Sequence, residues 1–269
     1  MREASTCHAL PLRPGNSIFI TSLTAIDAHT WLALCSDDAP TLFTPEAITW
    51  TLHASHTTTR ATLFKPPTHQ LLTAGDDARI KIWDTRTTPP NTPLHTLPCS
   101  APILSLASHA DSSIIAAGTE LSNHSATLSF FDLRFLSPTP LQRYAEVHSD
   151  DIVSLAYATP TCLVSGSADG LVNMYDTRIS DEDDALQRVW NVGAGVSRVG
   201  FLDGGEKVWG LSCDEKLAVY EPADVDVDGQ EWVFGDVRPV LGCDYVVDVL
   251  DAKAGGGGGG GVVGAGYFG

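Results

Sequence analysis

The sequence predicts an all-β fold in which a unit of four strands recurs along the chain. Three observations lead to this prediction. The stretch LLTAGDDARIKIWDTR, residues 71–86, returns in related form as LVSGSADGLVNMYDTR at residues 163–178. Apolar residues occur in short β-branched and aromatic runs separated by Gly, Asp, Asn, Ser or Pro, a pattern typical of strands and turns. No stretch keeps the periodicity of an amphipathic helix.

The two related stretches align without a gap. When Trp83 is placed on Tyr175 the offset is 92 residues, and each of these aromatic residues has a histidine 27 positions upstream. The positions that recur in register are polar or aromatic: His56, Thr73, Asp77 and Trp83 in the first copy, and His148, Ser165, Asp169 and Tyr175 in the second. Self-similarity at a fixed spacing is the sign of a repeat architecture.

Weaker copies extend the repeat over most of the chain. Residues 112–134 end in Phe-Asp-Leu-Arg and carry an insertion in the turn, and residues 207–221 keep Asp214 six positions before Tyr220. The predicted organisation is an N-terminal extension at 1–16 and an incomplete repeat domain at 17–269, with units near 17–53, 56–97, 100–145, 148–190 and 193–234, a partial unit at 238–269 and a Gly-rich loop at 255–261.

The fourth unit gives the clearest strands. They are predicted at 152–158, 162–167 and 171–176, with a fourth near 188–192. Both faces of this sheet are largely apolar, so we expect it to be covered on both sides. Successive four-stranded units of about 40 to 45 residues that are covered on both faces describe the blades of a β-propeller.

The segments TAGDDARIKIWD and SGSADGLVNMYD, each with its upstream histidine, resemble WD repeats. LVSGSADGLVNMYDTRISDEDDALQ and KVWGLSCDEKLAVYE are also similar to the WD repeat-containing protein 89 group. The resemblance implies that the four recurring side chains of units two and four each form a hydrogen-bonded tetrad inside a blade. A buried carboxylate needs donors, and His, Ser or Thr, and an indole supply them. Tyr175 stands where the indole is usual, and Ser55 and Val147 stand where a Gly usually precedes the histidine.

The resemblance also implies a seven-bladed ring in the intact protein, of which about five and a half blades are present here. An open array would expose apolar blade faces to water. We therefore expect a truncated product or an incomplete gene model. The alternatives are closure of the ring by a partner chain and a cramped six-bladed ring.

Composition narrows the function classes. The formal charge is −17, and without a basic cluster we expect no direct binding of nucleic acid. The 6 cysteines form no C-x-x-C pair, so we expect no metal site. No apolar run reaches the roughly 18 residues of a membrane span. We expect an intracellular protein without a cofactor, in the nucleus or the cytoplasm with the nucleus favoured, and with neither a membrane nor a small-molecule substrate as partner.

Two features are candidates for partner binding. The first is the acidic run Asp181, Glu182, Asp183 and Asp184, which could receive a basic segment, although a solvated loop is the simpler interpretation. The second is the aromatic-Asp-x-Arg ending that places Arg86, Arg134 and Arg178 after three of the strands. In some WD-repeat proteins such endings mark docking to the adaptor of cullin-four ubiquitin ligases. In others the arginine pairs with loop carboxylates.

The sequence thus predicts a non-catalytic scaffold for protein–protein interactions, including basic segments, in a nuclear assembly. The alternative is a substrate receptor of a cullin-four RING ubiquitin ligase. An enzyme built on a propeller frame is the third hypothesis. It has little support, because the chain lacks G-x-x-x-x-G-K-[ST] for a phosphate and G-x-S-x-G for a nucleophile.

Overall fold

The computed structural model describes residues 18, 20–53, 55–65, 68–87, 92–222, 231–251 and 261–266. It divides into two compact units, Met1–Pro98 and Cys99–Gly269. The predicted N-terminal extension at 1–16 and residues 255–260 of the predicted Gly-rich loop lie outside the described residues. Among the described residues, neither short helix has the length and hydropathy that a membrane crossing requires.

The first unit contains two four-stranded antiparallel sheets, each with its strands in chain order. The first sheet consists of β1 (Ile20–Ala25), β2 (Trp31–Cys35), β3 (Thr41–Phe43) and β4 (Ile48–Thr51). The second consists of β5 (Thr59–Lys65), β6 (Gln70–Gly75), β7 (Arg79–Asp84) and β8 (His95–Pro98). Their apolar side chains meet in one core cluster that contains Leu32, Trp50, Leu52, Leu71 and Trp83.

The second unit contains three four-stranded antiparallel sheets and one of two strands. The third sheet is β9 (Ile103–Ala107), β10 (Ile114–Thr119), β11 (Leu128–Asp132) and β12 (Gln142–Tyr144), and the fourth is β13 (Ile152–Thr159), β14 (Cys162–Ser167), β15 (Leu171–Asp176) and β16 (Leu186–Asn191). The fifth is β17 (Val196–Leu202), β18 (Lys207–Ser212), β19 (Lys216–Tyr220) and β20 (Glu231–Asp236), and the sixth is β21 (Tyr245–Asp251) and β22 (Gly261–Gly266). Helix α1 (Glu182–Ala185) precedes β16, and helix α2 (Arg238–Leu241) follows β20.

The all-β prediction is confirmed. The sequence pattern produces these sheets because strands of three to eight residues alternate with tight turns. In the β14–β15 turn, Gly170 has a φ of +88°, and the Asp169 carboxylate accepts the Leu171 N–H at 2.9 Å. The equivalent position of the β6–β7 turn holds Ala78 at a φ of +55°, a conformation that costs an L-residue about 1 kcal/mol or more.

Neighbouring sheets of the second unit are joined along their first strands. The Ser105 hydroxyl of β9 donates to the Ile152 carbonyl of β13 at 2.8 Å. The Val199 N–H of β17 donates to the Ser154 hydroxyl of β13 at 3.1 Å. These bonds satisfy polar backbone groups at the places where one sheet faces the next.

Aromatic side chains join the outer parts of the same sheets. Tyr175 of β15 stacks on Tyr144 of β12, with ring centroids 5.5 Å apart. Tyr220 of β19 stacks on Trp190 of β16 at 5.1 Å. In both cases an aromatic residue of a third strand covers an aromatic residue on the fourth strand of the preceding sheet, so the third and fourth sheets are covered as far as their fourth strands.

Glycine in the second strand leaves room for this packing. A Cβ atom on Gly166 of β14 would lie 2.5 Å from Val199 Cγ1 and 2.7 Å from Val196 Cγ1. A Cβ atom on Gly118 of β10 would lie 2.5 Å from Ile152 Cγ2. These are distances that carbon atoms do not reach without moving a neighbour, so a larger residue would separate the sheets.

We therefore predict that Gly166→Ala lowers the free energy of unfolding by about 1–3 kcal/mol, because the added methyl group overpacks the contact with β17. Urea denaturation followed by tryptophan fluorescence measures the change. Gly118→Ala should lose a similar amount through Ile152. An unchanged denaturation midpoint for both variants would contradict the close approach of the sheets.

Candidate functional site

The second sheet brings together the four side chains that recur in the sequence. His56 Nδ1 lies 2.7 Å from Asp77 Oδ1, and His56 Nε2 lies 2.7 Å from Thr73 Oγ1. The Trp83 indole N–H donates to the same Thr73 oxygen at 2.9 Å. Because an ionised carboxylate only accepts, Nδ1 carries the proton, and Nε2 accepts from the threonine hydroxyl. The result is a one-directional chain of hydrogen bonds from the indole to the carboxylate.

Burial and hydrogen bonds together set the charge state of this network. Burial lowers the pKa of His56, and it outweighs the opposing effect of the hydrogen bond to Asp77. For Asp77, burial alone would raise the pKa, but hydrogen bonds from His56 and Lys81 outweigh it, and the pKa lies below its usual value. A neutral imidazole therefore faces an ionised carboxylate.

The fourth sheet repeats the arrangement with different chemistry at one end. His148 Nδ1 lies 3.0 Å from Asp169 Oδ2, and His148 Nε2 lies 2.7 Å from Ser165 Oγ. The Tyr175 hydroxyl is 3.1 Å from Ser165 Oγ and takes the place of the indole donor. Asp169 also accepts the backbone N–H of Ser149 at 3.0 Å, so the network ties the loop before β13 to the β14–β15 turn.

Each network has a fifth member that the sequence analysis missed. Lys81 Nζ donates to the Ser55 carbonyl and lies 3.0 Å from Asp77 Oδ2. Asn173 Nδ2 donates to the Val147 carbonyl at 2.9 Å. The 92-residue offset relates Lys81 to Asn173 and Ser55 to Val147, so the shared N–H donor was a signal in the alignment. These carbonyls lie where a glycine was expected before each histidine.

The third and fifth sheets lack the network. In β10, Ala117 occupies the register position of Ser165, and the buried Ser129 hydroxyl opposite it has no partner. In β18, Gly210 occupies that position. Asp214 keeps its sequence spacing to Tyr220, but its carboxylate binds Ser212 Oγ and Lys216 Nζ instead. The hydrogen-bonded tetrad is therefore present in the second and fourth sheets.

The three motif arginines fold back on the aspartate two residues earlier. The Nε and Nη2 atoms of Arg86 donate to the two Asp84 oxygens at 2.9 and 2.7 Å, which lowers the pKa of Asp84 to about 2. Arg134 binds Asp132 and Arg178 binds Asp176 in the same two-point manner. The arginine side chains remain 68, 66 and 72% exposed.

A fourth arginine of this kind was missed by the sequence analysis. Arg238 forms the same fork with Asp236, through bonds of 2.9 and 2.8 Å. It follows β20, a fourth strand, whereas the other three arginines follow the third strands β7, β11 and β15. The signal in the sequence was the spacing Asp-x-Arg without an aromatic residue before it.

The acidic run is a short helix rather than an open loop. Asp181 caps α1 by accepting the N–H groups of Asp183 and Asp184. Glu182 reaches away from the helix, and its carboxylate accepts the N–H of Ala145 at 2.7 Å and that of Glu146. Asp181, Asp183 and Asp184 are exposed. Glu182 is thus occupied by backbone groups beyond β12, and the surface available to a partner is narrower than the four-residue run predicted.

The polar side chains of the two networks are matched with one another inside the sheets. A hydroxyl, an imidazole and a carboxylate in a row are also the parts of a catalytic triad, but Thr73 and Ser165 are 0% exposed, so their hydroxyls do not face a substrate. Among the described residues, no group of three or more His, Cys, Asp or Glu side chains could hold a metal ion. Of the candidate site residues, the exposed ones are the three motif arginines and the carboxylates of Asp181, Asp183 and Asp184 on and before α1.

Comparisons with known proteins place these repeats among related chains. A family profile described as WD domain, G-beta repeat matches residues 48–84. An uncharacterised WD repeat-containing protein of Saccharomyces cerevisiae is 33% identical over 186 residues, which cover 67% of this chain and 46% of that protein. WD repeat-containing protein GTS1 of Arabidopsis thaliana is 32% identical over 111 residues, covering 38 and 28% respectively.

The chain is also similar to a third curated WD-repeat protein and to a chain of solved structure. WD repeat-containing protein 89 homolog of Dictyostelium discoideum is 28% identical over 163 residues, covering 60% of this chain and 42% of that protein. A chain in a crystal structure of the mitotic checkpoint complex superposes with a TM-score of 0.66 at 16% identity, over 81% of this chain and 65% of that one. The chain spans less than half the length of the curated relatives it matches.

We predict that Asp169→Ala lowers the free energy of unfolding by about 2–4 kcal/mol, because it leaves the buried His148 N–H without an acceptor. Tyr175→Phe, which removes one neutral hydrogen bond, should cost about 1 kcal/mol. Urea denaturation measures both variants. The matched control is Asp183→Ala, an exposed aspartate of the same sheet region, expected within about 0.5 kcal/mol of the original protein. If Asp169→Ala and Asp183→Ala lower the free energy of unfolding equally, the tetrad does not stabilise the fourth sheet.

Proposed function

The chain is a WD-repeat protein with the fold of a β-propeller, and from this premise we propose that it is a non-catalytic scaffold whose exposed edges bind protein partners. Propellers of this family are generally non-catalytic and are typical protein-binding modules. A stiff framework of paired strands holds the connections between strands in place, and recognition is concentrated in such connections.

The observation that carries the proposal is the internal use of the chemistry-bearing side chains. Each histidine–aspartate pair is closed by a hydroxyl and an aromatic donor within its own sheet. The hydroxyls of Thr73 and Ser165 are 0% exposed, so these networks stabilise the sheets, and the exposed charges are left for contacts with other proteins.

The proposed partners include basic segments. The chain carries 33 acidic and 16 basic residues, so its field attracts positive charge and repels nucleic acid. Asp183 and Asp184 are exposed on α1, which Glu182 anchors and Asp181 caps. Such a fixed pair of carboxylates is better suited to a basic segment than a freely moving loop, because less side-chain and backbone freedom is lost on binding.

Affinity purification from cells with the tagged chain tests this function, followed by identification of the bound proteins. Asp183→Lys together with Asp184→Lys should lower the recovery of a basic partner about tenfold at low salt, since both changes oppose its charge. The matched control is Asp111→Lys with Glu206→Lys, which changes the net charge equally at exposed positions of the same unit. Equal recovery of the partner with the two double variants would contradict α1 as a binding surface. Fluorescence microscopy of the tagged chain in the same cells shows whether it enters the nucleus, as the proposed nuclear assembly requires.

The second candidate function is that of a substrate receptor of a cullin-four RING ubiquitin ligase. The exposed arginine forks of Arg86, Arg134 and Arg178 favour it. Each fork is fixed by its aspartate, so a partner that binds it finds a guanidinium already oriented. The same pairing also satisfies the arginine within the chain, which is the simpler interpretation of the motif.

Co-purification of the ligase adaptor separates the two functions. If docking uses the forks, Arg86→Ala together with Arg178→Ala should reduce adaptor recovery at least about tenfold, the loss of two oriented charged donors. The control variant, Arg79→Ala with Arg143→Ala, removes two exposed strand arginines outside the motif and should leave recovery unchanged. Absence of the adaptor from every purification would eliminate the receptor function while leaving the scaffold.

A further inference from the structure

The connection between β11 and β12, residues 133–141, carries two hydroxyl side chains that are each followed by proline. Ser137-Pro138 and Thr139-Pro140 stand in direct succession, and Ser137, Pro138 and Thr139 are exposed. The two hydroxyl oxygens lie 2.8 Å apart, and Ser137 Oγ also accepts the Thr139 N–H at 3.2 Å. Within the described part of the chain, these are the hydrogen bonds of the two side chains, so none of them ties the hydroxyls to a strand.

Two other Thr-Pro pairs of the chain lie in tight turns instead. Thr44, between β3 and β4, accepts the Ala47 N–H on its hydroxyl at 3.3 Å and donates its own N–H to the Ala47 carbonyl at 2.9 Å. Thr159 is the last residue of β13, and its hydroxyl accepts the N–H groups of Thr161 and Cys162 at 3.3 and 3.0 Å. To enter the cleft of an enzyme, either turn would have to separate paired strands, which costs free energy. The β11–β12 connection lies outside the strands and does not have this cost.

The proline after each hydroxyl indicates the class of enzyme. A residue that precedes proline is biased towards an extended backbone, and protein kinases bind the segment that they modify in an extended form. Proline also lacks a backbone N–H, so it fits only those kinases whose cleft needs no donor at the position after the acceptor. These are the proline-directed serine/threonine kinases.

An arginine-directed kinase is the alternative, because Arg134 stands three residues before Ser137. The structure disfavours this alternative. Arg134 turns back along its own chain, where its Nε and Nη2 atoms donate to the Asp132 carboxylate at 3.0 and 2.6 Å. A kinase that recognises the arginine in an acidic pocket would have to break two charge-assisted hydrogen bonds.

We propose that Ser137 and Thr139 form a phosphorylation site for a proline-directed serine/threonine kinase, with ATP as the phosphoryl donor. The bond between the γ-phosphorus and the oxygen that bridges to the β-phosphate breaks, and a new P–O bond forms with the hydroxyl oxygen of the acceptor. The hydroxyl proton passes to the base of the kinase, and ADP leaves.

The phosphate would change the chemistry of this edge. It adds about 1.5 to 2 negative charges in a connection where Phe135 and Leu141, on either side of the acceptors in sequence, are 75 and 67% exposed. An apolar surface would thereby become an anionic one. This site does not depend on the proposed scaffold function.

Phosphorylation of the folded protein tests the site. The 269-residue protein is incubated with a purified mitogen-activated protein kinase and Mg²⁺-ATP, and mass spectrometry of proteolytic fragments gives the rate at each hydroxyl. We expect Ser137 or Thr139 to be modified at least about tenfold faster than Thr44 or Thr159, which corresponds to about 1.4 kcal/mol of local opening in the turns. Thr92-Pro93 is exposed as well, and fragment mapping keeps its phosphate separate.

Synthetic peptides separate the effect of the fold from that of the local sequence. Peptides of residues 133–143, 39–49 and 154–164 contain the three sites without the sheets that surround them. In these peptides we expect modification of Thr44 and Thr159 to rise at least about tenfold relative to the Ser137-Thr139 site, because no strands have to separate.

A proline variant tests the class of kinase. Pro138→Ala together with Pro140→Ala keeps both hydroxyls and should slow their modification at least about tenfold, through loss of the ring contacts in the cleft of the kinase. The matched control is Pro93→Ala, which changes an exposed proline in another connection and should leave the rate at Ser137 and Thr139 within about twofold. All variants should share the melting temperature of the original protein.

Three results would overturn the inference. The first is that the folded protein takes up no phosphate at Ser137 or Thr139. The second is that the peptides keep the rate ratios of the folded protein, since local sequence rather than structure would then select the site. The third is that cAMP-dependent protein kinase, an arginine-directed enzyme, modifies Ser137 faster than the proline-directed kinase does.

Discussion

The sheets of the second unit are apolar on both faces, and a sheet of that kind is stable only when another sheet covers each face. Most of what distinguishes this unit follows from that constraint. Glycine at positions 118 and 166 allows the next sheet to approach, serine hydroxyls satisfy backbone groups at the contact, and aromatic residues extend the coverage to the fourth strands.

The polar networks solve a different problem within the same architecture. The aspartate of each β-turn places its carboxylate in the interior of the blade, away from water. Burying that charge costs free energy unless hydrogen-bond donors surround it. In the fourth sheet, imidazole and backbone N–H groups serve Asp169, whose side chain is 5% exposed. In the second sheet Lys81 adds a positive charge beside Asp77, which is 20% exposed. The two carboxylates therefore share the histidine donor but differ in the others, which are backbone N–H groups for Asp169 and Lys81 for Asp77.

The sequence predicted the fold class because the repeat is gapless between its second and fourth units. In the fourth sheet the strands β13, β14 and β15 begin at the residues that the apolar runs indicated, since Gly170 and Asp169 mark the turn without ambiguity. The four positions of each tetrad could be located because their spacing recurs in the repeat, and the resemblance to WD repeats implied that these side chains bond to one another.

Other features depend on contacts that no local pattern encodes. The 92-residue offset relates Lys81 to Asn173, but the offset does not show that both donate to the carbonyl before the histidine. The acidic run looked uniform, yet the structure separates a helix cap, an anchor and two exposed carboxylates. An apolar cavity against the fifth sheet is lined by four segments between Leu202 and Val249, so no local sequence pattern could predict it.

The anchor formed by Glu182 has a consequence for the order in which this chain can acquire its structure. The edge of the third sheet is held by residues that come much later: Glu182 binds the N–H of Ala145 across 37 residues, and the Ile179 carbonyl receives the Tyr144 hydroxyl across 35. During synthesis from the N-terminus, β12 would emerge from the ribosome well before the groups that fix it. The third sheet would therefore keep a loose outer edge for the time needed to translate most of the fourth, and a chaperone or a pairing strand would find that edge open during this interval.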